Sequence, residues 1–414
     1  MLIQDKRMKI AVWHNLHSGG GSRALQYHIH GLVEKGHDVE VWADKPDADG
    51  FMHLPTSVKL HKVPLKYDEH QTTLKERFSS VFFGKDSNMK AMENHCRKCA
   101  SEINEGNFDI LFANSCFYYG VPFISRFVKI PKVLYLGEPN RYLYEAMPEQ
   151  IWEAQEEISN KLTSRFWVYF FSNTWRTNKY RVYVREERKN FQAFDKVLVN
   201  SYFSMESCKR AYGLLSEVCY LGVDDSLFKQ VKPSESKPYV VGLGGFYGHK
   251  NPELAIRSVG AVTENRPKLL WIGNMVDEKY WLEMVELARS LEVSLEVKKM
   301  VTDKQLVQLL SGAICMIYSS NLEPFGFAPL EANACGTPVI AVAEGGVRET
   351  IIHEKNGFLV NQNPKEIAHY ISELSDNQAL RNKISNFAIN NVKENWSLAS
   401  CSERINKAIE SMVR

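Results

Sequence analysis

Several features are missing from this sequence, and each absence removes a class of protein. No apolar run is long enough to cross a bilayer as a helix. The formal charge is only +2, without the basic excess of a nucleic-acid-binding chain, so no nucleic-acid partner is expected. No G-x-G-x-x-G follows the first strand-like run. The "GGGS" after "KIAVWHNLHS" imitates it weakly, which disfavours a dehydrogenase. There is no low-complexity tract and no sequence repeat. The opening "MLIQDKRMKIAVWHN" lacks the apolar core and cleavage site of a secretory leader, so Met1–Arg7 is expected to be a short tail before a buried strand. The 8 cysteines are scattered, and Cys116, Cys315 and Cys335 have apolar neighbours, as reduced thiols of a cytoplasmic protein would. The one dense cluster, "HCRKC" with His95, Cys96 and Cys99, has no second ligand pair at zinc spacing and is expected to be solvated helix surface.

What is present is an ordinary globular composition, 44% hydrophobic and 24% charged, over 414 residues. That length predicts two domains. Short β-rich runs alternate with longer amphipathic ones. The first half offers "KIAVWH", "DVEVWA", "VKLHKV", "DILFA", "KVLYL" and "KVLVN"; the second offers "YVVGLG", "KLLWIG", "SLEVKK", "AICMIYSS", "PVIAV" and "GFLV". Between the first two strands, Leu25, Ile29, Leu32 and Val33 fall on one helical face. This alternation predicts α/β architecture: two facing, doubly wound Rossmann-like domains with an interdomain cleft. The aperiodic stretch "VDDSLFKQVKPSESKPY" predicts a linker over 223–238, between a first domain of 1–222 and a second of 239–385. The remaining 386–414 is expected to be a C-terminal helix packing back toward the first domain.

The segment "EPFGFAPLEANACGTPVIAVAEGG" is the most informative. A strand, a turn at Pro324, a helix from about Gly326, a cap at Gly336 and a new strand after Pro338 can be read from it. Glu323 then precedes a helix N-terminus and Glu331 lies about two turns along. Free amides and the helix dipole there suit phosphate, a glycine admits close approach, and the carboxylates suit vicinal hydroxyls of a sugar or ribose. The plainer alternative makes Glu331 an exposed helix residue and Glu323 an incidental loop acid.

Those residues resemble the E-P-F-G-x-x-x-L-E-A-x-A-x-G-x-P-V signature of retaining glycosyltransferases of family 4, which have the GT-B fold. "HSGGGSRALQYHIHGLVEKGHDVEVWA", "FDKVLVNSYFSMESCKRAYGLLSEVCYLGVDDSLF" and "YVVGLGGFYGHKNPELAI" resemble further stretches of that family. The resemblance implies transfer of a hexose from a nucleotide-diphosphate sugar to a glycan or lipid-linked acceptor. It assigns Glu331 to ribose hydroxyls, Glu323 to the donor sugar and Lys250 to the diphosphate. The backbone of Phe325, Gly326 and Phe327 would lie around sugar and phosphate, Gly20 and Gly21 would approach from the first domain, and Asn274 would lie beside the nucleotide, with the base near 299–301. It implies no cofactor and no metal; Asp47-Ala48-Asp49 matches a metal-binding D-x-D of a different fold only.

Two positions depart from that family. Gly245 stands where it has an arginine five residues before the donor lysine, a charge that Arg257, Arg348 or a residue of the other domain would have to replace. Gly137 stands where it has a histidine, leaving Glu138 and Arg141, with Asn114 at another frequent histidine position, as acceptor-side residues. These changes point to an altered donor or acceptor specificity, with drift in a structural loop as the plainer alternative; they also motivate a sugar-nucleotide-binding protein without turnover, and an epimerase of the same fold is a separate alternative. Finally, residues 165–188 carry Trp167, Phe170, Phe171 and Trp175 beside many arginines and lysines. The plainer reading is a helix packed in the first domain with a basic outer side; the alternative is a peripheral contact with an anionic membrane.

Overall fold

The computed structural model describes residues 7–17, 19–44, 52–66, 84–145, 164–232, 238–274 and 277–413; Asp47 and Asp49 lie outside them. The chain divides into two compact units. One is Met1–Asn200, Ser204–Cys219 and Ser402–Arg414; the other is Ser201–Phe203 and Tyr220–Cys401.

The first unit is built on strands β1 (Lys9–His14), β2 (Asp38–Ala43), β3 (Lys59–Lys62), β4 (Ile110–Asn114), β5 (Lys132–Tyr135), β6 (Lys196–Val199) and β7 (Glu217–Val218). They pair in parallel in the order β3-β2-β1-β4-β5-β6-β7. Central strands β1 and β4 are buried along nearly their whole length, which is why they read as unbroken apolar runs. β7 has two residues, too few to make a pattern.

The second unit carries β8 (Tyr239–Leu243), β9 (Lys268–Ile272), β10 (Leu295–Lys298), β11 (Met316–Tyr318), β12 (Val339–Val342) and β13 (Gly357–Val360). Their parallel order is β10-β9-β8-β11-β12-β13. Each sheet reverses its winding direction once, at β1/β4 and β8/β11, and such switch points open ligand sites at the carboxyl ends of the strands. Both units are therefore Rossmann-like.

The unit boundaries differ from the expected ones. Over its described residues 223–232, the expected linker belongs to the second unit, with Val223 bridged to Ser397 and Phe228 buried. Helix Gln378–Asn391 runs through the expected boundary at 385/386. The last helix, Leu398–Glu410, passes into the first unit at Ser402, where Lys35 pairs with Glu403 at 2.7 Å and His37 bonds Asn406 at 2.6 Å.

Two local expectations are corrected. His95, Cys96 and Cys99 are not solvated surface: all three are buried on helix Ser87–Glu105. Their spacing aligns them with Met92 and Ile103 on the core face, and the indole nitrogen of Trp13 donates to His95 at 3.3 Å. Burial pushes the Cys99 thiol up to about 12. All eight cysteines are buried and none is in a disulfide. Helix Ser164–Gln192, likewise, packs over half its length only. From Asn178 onward Val182, Glu186, Glu187, Asn190 and Phe191 recur on a buried stripe, whereas no described side chain over 164–177 is buried. Trp167, Phe170 and Phe171 are 50%, 47% and 64% exposed. Among the described residues no helix is long and apolar enough to cross a membrane.

His28 lies on the buried side of helix Gly20–Glu34, its ring 4.6 Å from that of Tyr135, with neither nitrogen hydrogen-bonded among the described residues. Burial, and secondarily the Arg404 charge, lower its pKa to about 3. The unfolded chain takes up that proton near pH 6.5, so the stability the neutral ring allows is complete above pH 6.5 and is lost as pH falls toward 3. This one group should remove about 2 kcal/mol at pH 5. Thermal melts should fall more steeply between pH 6.5 and 4.5 for the wild type than for His28→Leu; parallel slopes would refute the assignment.

Candidate functional site

In the second unit, three loops at the carboxyl ends of neighbouring strands converge. The loop after β8 folds into a turn, Gly248–Lys250, and Asn251, with φ 51°, caps helix Pro252–Gly260 by accepting from the Leu254 amide. The loop after β11 carries Glu323. The ammonium of Lys250 lies 2.5 Å from Glu323 Oε2, with 17% and 24% of the two side chains exposed. The residues expected to meet diphosphate and sugar are thus paired with each other.

The Glu323 loop is fixed by its backbone. Leu322 sits at φ 45°, a left-handed conformation that a leucine adopts only under constraint. Ser201 Oγ donates to the Pro324 carbonyl at 2.5 Å, and the Gly346 amide donates to the Glu323 carbonyl at 2.8 Å. Gly345 and Gly346 approach so closely that a Cβ on Gly345 would strike the Glu323 carbonyl oxygen, and one on Gly346 the Pro324 carbonyl oxygen. Glu349, one turn further, accepts from the Tyr202 and Phe203 amides and the Tyr220 hydroxyl at 2.9, 3.0 and 2.8 Å. Ser201 and Glu349 went unnoticed in the sequence, which carries no local signal for contacts so distant along the chain.

Gly326, at φ 88°, starts helix Phe327–Ala334, and no side chain caps that N-terminus. Pro329 lacks an amide hydrogen, so the Phe327 and Ala328 amides are the donors of the first turn. The Phe325 side chain is buried between the rings of Phe327 and Trp396, at 5.7 and 5.8 Å, so only its backbone is left for a ligand. Glu331 is not an exposed helix residue: it is 5% exposed, and a carboxylate so withdrawn needs polar company. Burial and then the Glu331 charge push the neighbouring Cys335 thiol up to about 12. Behind the helix, Asn333 and Asn356 bond each other at 2.9 Å and reach the Thr337 and Thr350 carbonyls.

Asn274, beyond β9, accepts from the Met300 amide at 2.9 Å and so braces the 299–301 loop, where Met300 is held at φ 54°. Arg257 pairs with Glu253 at 2.8 Å and Arg348 donates to the Gly345 carbonyl at 3.0 Å, so both proposed substitutes for the missing arginine are engaged. At Gly245 itself, the space for a Cβ is filled by the Tyr247 ring.

In the first unit, the other expected residues gather at carboxyl ends of strands. Gly20 and Gly21 open helix Gly20–Glu34 and are exposed. Asn114 ends β4, buried, accepting from the Ser115 amide at 3.1 Å. Arg141 donates to Glu138 in the loop after β5. That loop has an anchor the sequence did not reveal: buried Glu187 accepts from Tyr144 and Tyr212 at 2.8 and 3.1 Å, and burial raises its carboxyl to about 7.

The close approach at 345–346 is testable. Gly346→Ala should lower stability by roughly 1–3 kcal/mol because backbone must shift. Gly248→Ala, whose Cβ would meet nothing within 4 Å, should be near neutral. Equal urea midpoints for the two variants would contradict this geometry.

Comparison with known proteins gives similarities of sequence and fold. The family model described as glycosyl transferases group 1 matches residues 223–391. The chain is 25% identical over 251 residues to the alpha-1,3/1,6-mannosyltransferase ALG2 of Mus musculus, covering 53% of this chain and 59% of that one. It thus spans less than two thirds of the length of the curated relatives it matches. Among solved structures, Alr3699/HepE of Anabaena in complex with UDP superposes with a TM-score of 0.70 at 18% identity, covering 98% of this chain and 100% of that chain. The same protein in complex with UDP-glucose gives 0.68 at 18% identity, with the same coverage. Residues 223–391 thus match the group 1 glycosyl transferases, and the chain has the GT-B fold of the solved structures it resembles.

Proposed function

We propose that this protein is a retaining hexosyltransferase that takes a nucleotide-diphosphate sugar as donor and a glycan or lipid-linked acceptor, in polysaccharide or glycoconjugate synthesis. The carrying observation is the Lys250–Glu323 ion pair ahead of the helix N-terminus at Phe327, with Glu331 buried along that helix. The mannosyltransferase name of one relative and the UDP and UDP-glucose complexes of the Anabaena structures support a sugar-nucleotide donor.

In this reading Glu331 accepts from the ribose hydroxyls and Glu323 from hydroxyls of the sugar. As the bond between the anomeric carbon and the phosphate oxygen breaks, negative charge grows on the diphosphate. Lys250 and the Phe327 and Ala328 amides stabilise it, without reorganisation, in a site partly shielded from water. The leaving phosphate takes the acceptor's proton, no enzyme carboxylate becomes a covalent nucleophile, and no step requires a metal. Glu138, Arg141 and Asn114 serve the acceptor. Buried cysteines outside any disulfide suit a reducing, cytoplasmic setting.

The exposed rings of Trp167, Phe170 and Phe171, with Arg176, Arg181 and Arg188 exposed along the same helix, suit an anionic lipid surface holding a lipid-linked acceptor. Its acidic residues, Glu186 and Glu187, are both buried and leave that exposed side basic.

Incubation with UDP-, GDP- and ADP-sugars, with and without membrane extract, should release nucleotide from one donor. Release from none, alongside a thermal shift with one, would support binding without turnover. Glu331→Ala should weaken nucleotide binding about 10- to 100-fold, and unchanged affinity would refute its ribose role. The protein should co-sediment with vesicles of anionic phospholipid and not with neutral ones. Combined Trp167→Ser and Phe171→Ser should abolish this, and retention of binding by that variant would remove the membrane contact.

A further inference from the structure

The turn between β8 and Lys250 holds more chemistry than its lysine. Phe246 is wholly buried, its ring 5.6 Å from that of Trp271, and the Trp271 indole donates to the Gly244 carbonyl at 2.8 Å. With Phe246 pinned inward, the residues on either side of it face out. The stem of Lys250 lies over Gly244, where a Cβ would stand 3.4 Å from Cδ and 3.5 Å from Cε. The ring of Tyr247 lies over the next residue, Gly245, and fills the place a side chain would take. Two consecutive glycines thus carry two folded-back side chains, those of Lys250 and Tyr247. The His249 ring lies against that of Tyr247, tilted by 49°, with centroids 4.2 Å apart. The turn is tied to the Glu323 loop: the Asn321 amide donates to the His249 carbonyl at 2.9 Å, and Ser319 Oγ to the Lys250 carbonyl at 3.0 Å.

We propose that Tyr247 and His249 form a second contact for the diphosphate of the donor, a phenol O–H and an imidazole N–H taking the place of a side chain that Gly245 cannot carry. This rests on the second unit binding a nucleoside diphosphate, as proposed above. Gly245 then has a positive reason: any side chain there displaces the Tyr247 ring. The contact recognises the outer phosphate, so it separates nucleoside diphosphates from monophosphates and adds nothing to ribose or base.

The test is titration calorimetry of the full chain with UDP, GDP and ADP, and with the matching monophosphates. Tyr247→Phe, which keeps the ring, and His249→Ala should each weaken diphosphate binding about three- to tenfold and leave monophosphate binding within about twofold. Gly245→Ala should act like loss of the phenol in the wild type and have no further effect in a Tyr247→Ala background. Glu331→Ala should weaken both nucleotide classes. A wild-type diphosphate-to-monophosphate ratio in both Tyr247→Phe and His249→Ala, with Glu331→Ala still impaired, overturns this contact and leaves the donor reading standing. If the wild type binds no nucleotide, both fall.

Discussion

The second unit's site depends on a contact between backbones. Strands β11 and β12 are paired neighbours, with Met316 opposite Val339, so the loops leaving their carboxyl ends emerge side by side. Residues 345–346 must then pass within hydrogen-bonding distance of 323–325, and only glycine leaves room. That approach fixes the Glu323 loop and holds Leu322 left-handed. β8 lies on the other side of β11, so its loop delivers Lys250 to Glu323 from the opposite flank. Sheet order thus determines which side chains meet: β8 supplies the cation, β11 the carboxylate and helix, and β12 the support.

The Lys250–Glu323 pair is well placed for exchange. Both side chains keep some solvent access, so their attraction is partly screened and contributes little to stability. It nonetheless holds two long side chains in one orientation before any ligand arrives. In the proposed donor reading, replacing this weak internal contact by stronger ones to phosphate and hydroxyls would give up little, because the ordering has already been done. The firmly built parts stand behind: the Asn333–Asn356 network and the Phe325 side chain are buried, and they keep the helix from drifting when the pair opens.

Much of this was legible because it is local. Doubly buried parallel strands appear as apolar runs, and a strand, turn, helix and capping glycine follow one another within twenty or so residues around Glu323. The rest was illegible for stated physical reasons. The His95–Cys99 cluster looks polar by composition, yet its three- and four-residue spacing places it on a core face, where Trp13 donates to the Nε2 of the imidazole. Ser201 and Glu349 act across more than a hundred residues of chain. The Gly245 departure reads as a lost charge in sequence, whereas in space it is an occupied position, filled from two residues away by Tyr247.

Helix Ser164–Gln192 shows the same limit at larger scale. A single periodic pattern would have one buried stripe throughout; here the stripe begins only at Asn178, and the apolar residues before it face outward. Each half-exposed ring leaves roughly 2 kcal/mol of burial free energy unrealised. Helix propensity does not repay that, since a single surface helix gains most of its stability from the face it packs. The exposed arginines on the same helix fit the membrane contact proposed above, because each would contribute about 1 kcal/mol at an anionic lipid surface.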